Sequence, residues 1–125
     1  MRRWLFLAAL MGALAVVMGA FATHGLQAML SERMLAAFET GARYHLVHAL
    51  AMGLAALAAR GRAARLASLA AALFLAGTLL FSGSLYVLAF TGVTALGMIT
   101  PLGGLSFIAG WIVLALAALK LERAE

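Results

Sequence analysis

The sequence predicts an all-α membrane protein, a bundle of four transmembrane helices. Hydrophobic residues make up 66% of the 125-residue chain and charged residues only 10%, whereas about a quarter of the residues of an ordinary soluble domain are charged. The apolar residues form long runs between short polar segments. At about 20 residues per span, this length holds four spans, so we expect a single transmembrane domain, residues 1–125.

The first predicted span covers residues 4–22, which carry no charge. Arg2 and Arg3 before it and small residues at its end also resemble a signal peptide, but the apolar run is long enough to cross a bilayer, and we expect it to do so. Residues 27–39 follow, with apolar residues at helical spacing and Ser31 in a favourable N-cap position. We interpret this segment as a short amphipathic helix at the interface; alternatively, it continues directly into the second span.

The second predicted span, residues 41–59, is the least apolar, because Arg43, His45 and His48 lie in its first turns. A tight basic loop, residues 60–65, comes next. No charged residue occurs between 66 and 119, and this stretch is too long for one span. Glycines and Pro101 interrupt it, so the third and fourth spans are predicted at residues 66–90 and 102–119.

The lysines and arginines predict the orientation, since cytoplasmic loops carry an excess of both. With a cytoplasmic N-terminus, only Arg33 and Arg43 lie toward the outside, and the inner side holds the others: Arg2, Arg3, Arg60, Arg62, Arg65, Lys120 and Arg123. We therefore expect both termini in the cytoplasm and, in a bacterium, location in the inner membrane. The basic clusters then serve as topology signals, and no nucleic-acid partner is expected.

Small residues form a stripe along each of the first two spans. They recur at spacings of three or four: Ala8, Gly12, Ala15, Gly19 and Ala22 in the first, and Ala49, Gly53 and Ala56 in the second. Small residues let helix backbones approach closely in a bilayer. We expect these two helices to touch along Gly12, Gly19 and Gly53.

In this orientation the polar residues of the spans lie in one layer toward the outer face. Ionisable groups inside a span are costly unless paired or hydrated, so they are candidates for function. This outer polar layer consists of His24, Glu39, Arg43, Tyr44, His45, His48, Ser82, Ser84, Tyr86 and Thr100.

The charged and hydroxyl members also have structural interpretations. Glu39 and Arg43 are four residues apart and can pair on one helix face, or Arg43 can extend to the lipid headgroups. We expect Arg43 to lie inside the bundle or along its rim and to contact Glu39 or the loop carbonyls of residues 100–104. The serines and Tyr86 are expected to form hydrogen bonds between helices.

Catalytic and metal-binding roles require partners for which the sequence gives weak support. His45 and His48 could bind a metal with His24 or Glu39 as further ligands, or one of the two could bind haem axially. They could also relay protons with Glu39, and a serine nucleophile would need His48 as its base. Without cysteine there are no thiolate ligands or cysteine nucleophiles. We predict no catalytic residue, no metal ligand and no cofactor.

Four segments in order resemble the signatures of the domain-of-unknown-function family 423. They are residues 19–26 (GAFATHGL), 38–50 (FETGARYHLVHAL), 81–86 (FSGSLY) and 99–104 (ITPLGG). His45 departs from the glutamine usual in that family, and Ala22 from a frequent glycine. The resemblance implies a small multi-span membrane protein, an inner membrane protein in bacteria with a small transmembrane relative in eukaryotes. It implies no activity, but its signatures coincide with the outer polar layer.

Three functions remain open at this point. We favour a non-enzymatic accessory or structural protein that works through lipids or a larger membrane complex, because the chain is small and has few charges. One alternative is a small transporter or proton-conducting protein, acting as a homo-oligomer, since four helices leave little room for a pore. The other alternative is a binder of a hydrophobic ligand such as a lipid or quinone, or an enzyme acting on one.

Overall fold

The computed structural model describes residues 1–121, in which four long helices are joined by short 3-10 turns. The α-helices are α1 (Arg2–His24), α2 (Glu32–Ala58), α3 (Ala64–Thr91) and α4 (Thr100–Ala118), and the 3-10 turns are Leu26–Ala28, Gly61–Ala63 and Thr94–Met98. No strand occurs within residues 1–121. Residues 122–125, which include the predicted cytoplasmic Arg123, lie outside the described part of the chain.

Local sequence signals explain where the helices begin and end. Ser31 has extended backbone angles (φ −63°, ψ 160°), and its Oγ accepts a hydrogen bond from the Met34 N–H at 3.3 Å, which confirms the predicted N-cap. Gly92 ends α3 in the left-handed region (φ 68°), where glycine pays no steric penalty. Pro101 lies in the first turn of α4, a position with no helical N–H bond to lose.

The predicted separate interfacial helix at residues 27–39 is wrong. The segment is divided between the 3-10 turn Leu26–Ala28 and the first turns of α2, which runs unbroken from Glu32 to Ala58. The predicted break near Gly41 followed a change in polarity, but nothing there stops a helix. Gly41 lies inside α2 against the Tyr86 ring, so the alternative of a continuous helix holds.

The helices pack side by side in chain order, so the bundle is open between α1 and the α3–α4 pair. Backbones approach closely between α1 and α2, α2 and α3, and α3 and α4, whereas α2 meets α4 mainly through side chains. The buried core near the cytoplasmic end of the predicted topology joins Ala8, Met52 and Phe74, and a second core joins Ala22, Phe38 and Ala89.

Three helical segments are long and apolar enough to cross a membrane. They are Arg2–His24, Gly61–Thr91 and Thr94–Ala118, which include α1, α3 and α4. Helix α2 is not among them, because Arg43, His45 and His48 reduce the hydropathy of its middle. Length and composition thus identify three spans in the described residues.

The small-residue stripe of α1 packs through its alanines rather than its glycines. Ala8, Ala15 and Ala22 are buried, whereas a Cβ built on Gly12 or Gly19 would meet no atom within 4 Å. The prediction of contacts through Gly12 and Gly19 is therefore wrong, whereas the predicted contact of Gly53 with α1 is confirmed, since a Cβ on Gly53 would lie 3.9 Å from the Ala8 Cβ. The buried alanines are seven residues apart, or nearly two helical turns, so α2 covers this single line and leaves the glycines beside it.

Close glycine packing occurs instead between α3 and α4. A Cβ added to Gly103 would collide with the Phe81 backbone, and one added to Gly77 would collide with the Phe107 ring. A Cβ on Gly110 would lie 2.7 Å from the Phe74 ring. Large rings thus lie against bare backbone, which holds these two helices in close contact.

Candidate functional site

The predicted outer polar layer is divided among three places. His48 and Tyr44 lie in an aromatic cluster against α4. His45 and Tyr86 lie between α2 and α3. His24, Glu39 and Arg43 are exposed and take part in no side-chain hydrogen bond within residues 1–121.

His48 is 4% exposed, and both of its ring nitrogens have partners. Nδ1 lies 2.8 Å from the Tyr44 carbonyl oxygen, and the Trp111 indole N–H donates to Nε2 at 3.1 Å. An indole nitrogen can only donate, so Nε2 must accept and Nδ1 must carry the proton. The surroundings therefore hold His48 as a neutral ring of one tautomer.

Aromatic rings enclose this imidazole. It stacks on Phe107 with ring centroids 3.5 Å apart and an interplanar angle of 10°. Phe74 lies 5.8 Å from it, and Tyr44 stacks at 5.9 Å. Sequence reasoning missed Trp111, although an indole N–H buried among apolar residues usually finds an acceptor, and that requirement could have indicated the pair.

His45 is 2% exposed and has one unsatisfied nitrogen. Its Nδ1 lies 2.9 Å from the Tyr86 hydroxyl. If His45 donated this bond, the Tyr86 O–H would have no acceptor among the hydrogen bonds of the described residues, so we assign the hydroxyl as donor and Nε2 as the protonated nitrogen. Nε2 has no hydrogen-bond partner; the Met11 backbone carbonyl is nearby but does not meet hydrogen-bond geometry.

A small cleft lies beside His45, between α1 and α3. Its volume is about 130 Å³. The lining residues are Met11, Leu14, Met18, His45, Thr78, Leu79, Ser82, Gly83 and Tyr86. The cleft exists because α1 leans on α2 and leaves a gap to α3.

The serines and Thr100 join helices through hydrogen bonds. The Ser82 hydroxyl donates to the Gly41 carbonyl oxygen at 2.7 Å, which ties α3 to α2. Ser84 bonds to Thr100 Oγ1 at 2.7 Å, and the Ser106 hydroxyl donates to the Leu73 carbonyl at 2.7 Å; both tie α3 to α4. Because the Ser82 proton is directed at a backbone carbonyl and not at a histidine nitrogen, Ser82 is not arranged as a nucleophile.

The expected contacts of Arg43 are absent. It lies on the α1 side of α2, in a groove with Val16, Gly19 and Glu39, whereas residues 100–104 belong to the α4 side of the molecule. No ion pair within 4.0 Å joins it to Glu39. One helical step of about 100° per residue separates Arg43 from Tyr44, so Tyr44 packs against Phe107 of α4 while Arg43 lies in the groove beside α1.

The described residues contain no group of three or more histidine, aspartate and glutamate side chains placed to share a metal ion. His45 and His48 are neighbours on α2 but turn toward different helices. With Nδ1 and Nε2 of His48 both engaged in hydrogen bonds, this ring has no free lone pair to offer a metal or haem iron.

Comparison with known proteins gives one family and many relatives. The family described as "Protein of unknown function (DUF423)" matches residues 18–104. The UPF0382 membrane protein YwdK of Bacillus subtilis is 42% identical over 122 residues, covering 96% of this chain and 98% of that protein.

Two further relatives have similar coverage. A UPF0382 membrane protein of Haemophilus influenzae is 43% identical over 94% of both chains. The UPF0382 inner membrane protein YgdD of Escherichia coli is 39% identical over 98% of this chain and 93% of that protein. No solved structure matches the chain.

Proposed function

This chain belongs to the DUF423 family of membrane proteins of unknown function, and we propose that it is a non-enzymatic integral membrane protein. In this proposal it has an accessory or structural role and acts through lipids or other membrane proteins. Its outer polar layer then holds the helices together and carries out no reaction.

The observation that carries this proposal is how the buried polar groups use their hydrogen bonds. His48 engages both nitrogens within the fold, and Ser82 donates to the Gly41 carbonyl. Ser84 and Thr100 bond to each other. Polar groups that satisfy one another across helices stabilise a membrane fold, and they leave no pair of nucleophile and base aimed at a common point.

We also propose that α2 crosses the membrane, so that the domain has four spans and the outer polar layer lies near one interface. Helix α2 contains 27 residues, or about 40 Å at 1.5 Å per residue. It packs on α1 from Ala8, which joins Met52 and Ala55, to Ala22, which joins Phe38. This packing along the full length of α1, itself long and apolar enough to span, supports a span for α2 as well.

The charge bias predicts cytoplasmic N- and C-termini for these four spans, and cysteine labelling checks the orientation. The chain has no cysteine, so Ala64→Cys, in the basic loop, and Thr94→Cys, in the opposite loop, each provide a single site. We expect a membrane-impermeant maleimide to label intact cells at position 94 only, and position 64 only after permeabilisation. Labelling of position 64 in intact cells would reverse the topology, and equal access of both sites would mean that α2 does not cross.

Proton conduction, the leading alternative, predicts a flux that reconstituted protein should not show. Glu39 and Arg43 are exposed at the rim, and the His48 nitrogens bond to a backbone carbonyl and an indole, which cannot accept and release a proton in turn. In liposomes loaded with a pH-sensitive dye, we expect proton entry under an imposed membrane potential to equal that of protein-free vesicles. A flux that His48→Leu abolishes would overturn the non-enzymatic, non-transporting assignment.

A second candidate function, binding of a hydrophobic ligand, is favoured by the unsatisfied Nε2 of His45 beside the cleft. A buried N–H without an acceptor is unfavourable by about 1–3 kcal/mol, and the oxygen of a lipid or quinone would satisfy it. Mass spectrometry of gently extracted protein tests this candidate. A molecule that copurifies with the native chain and with His45→Gln, but not with His45→Leu, would replace the structural role with a binding role.

A further inference from the structure

A continuous groove follows the seam between α1 and α2 on the side away from α3. The half nearer the basic loop has a volume of about 580 Å³, and the half nearer the outer polar layer about 450 Å³. The first is lined by Leu5, Ala8, Ala9, Gly12, Ala49, Leu50, Gly53, Leu54 and Leu57; the second by Ala15, Val16, Gly19, Ala22, Thr23, Glu39, Ala42, Arg43 and Leu46. These residues occupy successive turns of the same two helices, so the halves form one groove, called the α1–α2 groove below.

Two of the three glycines of this groove, Gly12 and Gly19, have no partner inside the described chain, whereas Gly53 lies against Ala8. A Cβ on Gly12 or Gly19 would meet nothing within 4 Å, whereas Gly77, Gly103 and Gly110 are each covered by a phenylalanine. Glycine in a membrane helix allows another backbone to approach closely. The covered glycines allow α3 and α4 to pack closely. The α1–α2 groove also has glycines that would allow a helix to pack closely, but no helix of residues 1–121 covers them.

The opposite flank of the molecule is different in composition. The outward face of α4 carries large apolar side chains that are more than half exposed, among them Leu102, Leu105, Ile108 and Ile112. Such a face suits fluid acyl chains, which gain nothing from small residues. Large apolar side chains are exposed in the groove too, including Val16, Leu50 and Leu54. The difference between the two flanks therefore lies in the uncovered glycines, Gly12 and Gly19.

The charges at the outer end of the groove indicate which protein would bind there. Glu39 and Arg43 are both exposed and both line the outer end of the groove, and no ion pair joins them. Two-fold symmetry places the same patch on both sides of an interface, so that residue i meets residue j and j meets i. The carboxylate and the guanidinium are one helical turn apart, about 6 Å along α2, a distance that a glutamate and an arginine side chain can together span. A patch that carries both is therefore complementary to itself, and pairing removes the cost of two charges near the hydrocarbon.

We propose that the α1–α2 groove binds a second copy of this chain. The two copies form a parallel dimer about an axis normal to the membrane, with Glu39 of each copy opposite Arg43 of the other and the α1 helices approaching at Gly12 and Gly19. This inference rests on the proposed four-span topology, which places both charges of every copy at the same membrane face.

Charge reversal provides the test. Glu39→Arg leaves two cations on each copy at the interface, and Arg43→Glu leaves two carboxylates on each copy. In phosphatidylethanolamine–phosphatidylglycerol vesicles, we expect each variant alone to associate at least tenfold more weakly than the native chain, measured by energy transfer between dyes on Thr94→Cys. An equimolar mixture of the two variants should recover association, because each copy then meets the opposite charge. Pairing of Glu39 with Arg43 within one copy predicts no recovery, and that result would overturn the dimer.

Filling the groove tests the same interface without altering charge. Gly12→Leu and Gly19→Leu have open space in one copy, so we expect unchanged thermal stability of the monomer in detergent together with loss of energy transfer. Gly83→Leu is the matched control, since Gly83 is another helical glycine with nothing within 4 Å of an added Cβ, but it lies outside the groove; it should dimerise normally.

Each remaining outcome overturns the proposal. If both groove variants showed the same energy transfer as the native chain, the groove would not be part of the interface. A monomer that retains a stoichiometric phospholipid by native mass spectrometry, lost in Gly12→Leu, would make lipid the occupant. Cysteine labelling reports the topology separately. If positions 64 and 94 label on opposite sides but no dimer forms, the dimer is refuted and the four-span topology stands.

Discussion

Gly103→Ala is expected to lower the free energy of unfolding by about 3 kcal/mol, a large effect for a single methyl group. The added Cβ would collide with the backbone nitrogen of Phe81. A backbone atom inside a helix cannot move aside as a side chain tip can, so α3 and α4 must separate and lose the packing of Phe81 and Phe107 around their contact. Unfolding in mixed micelles, followed by circular dichroism, measures the change.

Gly104→Ala is the matched control for this substitution. The two glycines are adjacent in α4, but a Cβ on Gly104 meets only the tip of the Phe81 ring, at 4.0 Å. Replacing an unhindered helical glycine by alanine favours the helix by about 0.5–1 kcal/mol, so this variant should be unchanged or more stable. Equal losses at both positions would mean that the close α3–α4 contact does not hold this fold together.

His48→Leu is expected to lower the free energy of unfolding by about 2–3 kcal/mol. It removes the hydrogen bonds to the Tyr44 carbonyl and the Trp111 indole and the stack on Phe107. Hydrogen bonds between membrane helices average about 0.6 kcal/mol, so most of the loss comes from the indole N–H that is left unsatisfied and from the lost ring contact. The same unfolding measurement checks it.

A double-mutant cycle with Trp111→Phe isolates this contact. Phenylalanine keeps much of the ring and removes only the donor, so His48→Leu combined with Trp111→Phe should cost about 1 kcal/mol less than the sum of the single variants. His24→Leu is the control for the histidine change, because His24 is exposed and makes no side-chain hydrogen bond in residues 1–121, and it should change stability by less than about 0.5 kcal/mol. Additive effects in the cycle would show that the His48–Trp111 bond does not contribute.

These experiments separate the stability of one copy of the chain from its association with a second copy. Variants at Gly103 and His48 test what holds α3 and α4 to the rest of the molecule, and the groove and charge variants test what an assembled copy presents to its neighbour. A chain that dimerises through α1 and α2 would leave α4 toward lipid and its His45 cleft at the edge of the dimer.

Composition and hydrophobic pattern were enough to predict an all-helical membrane protein, and the resemblance of four segments to known signatures indicated the family. The charge-free runs predicted α1, α3 and α4 to within two residues at most of their ends, because the cost of exposing backbone and charge to hydrocarbon leaves long apolar helices as the only solution. Ser31 was predicted as an N-cap because a serine hydroxyl can accept a hydrogen bond from a free N–H at the start of a helix. In the structure it accepts such a bond from Met34 at the start of α2. The start of α2 was predicted at residue 41 instead of Glu32, because the sequence becomes less polar near Gly41 whereas the helix continues through that residue unbroken.

The partners of individual side chains were decided by tertiary structure. The sequence placed Gly12, Gly19 and Gly103 in apolar segments rich in small residues, yet only Gly103 lies against another backbone, because helix rotation and crossing, which no single helix encodes, select the contacting line. In the same way, Arg43 and Tyr44 are neighbours in sequence, but Arg43 lies beside α1 and Tyr44 packs against α4.

The sequence by itself determined the membrane environment and the apolar helices α1, α3 and α4, because these follow from transfer free energies and hydrogen-bonding needs that act residue by residue. Only the tertiary structure decided that His48 is satisfied by Trp111, that His45 keeps an unsatisfied nitrogen beside a cleft, and that glycines are covered between α3 and α4 but not along α1. Those outcomes depend on which faces of four helices meet, and that depends on the packing of all of them together.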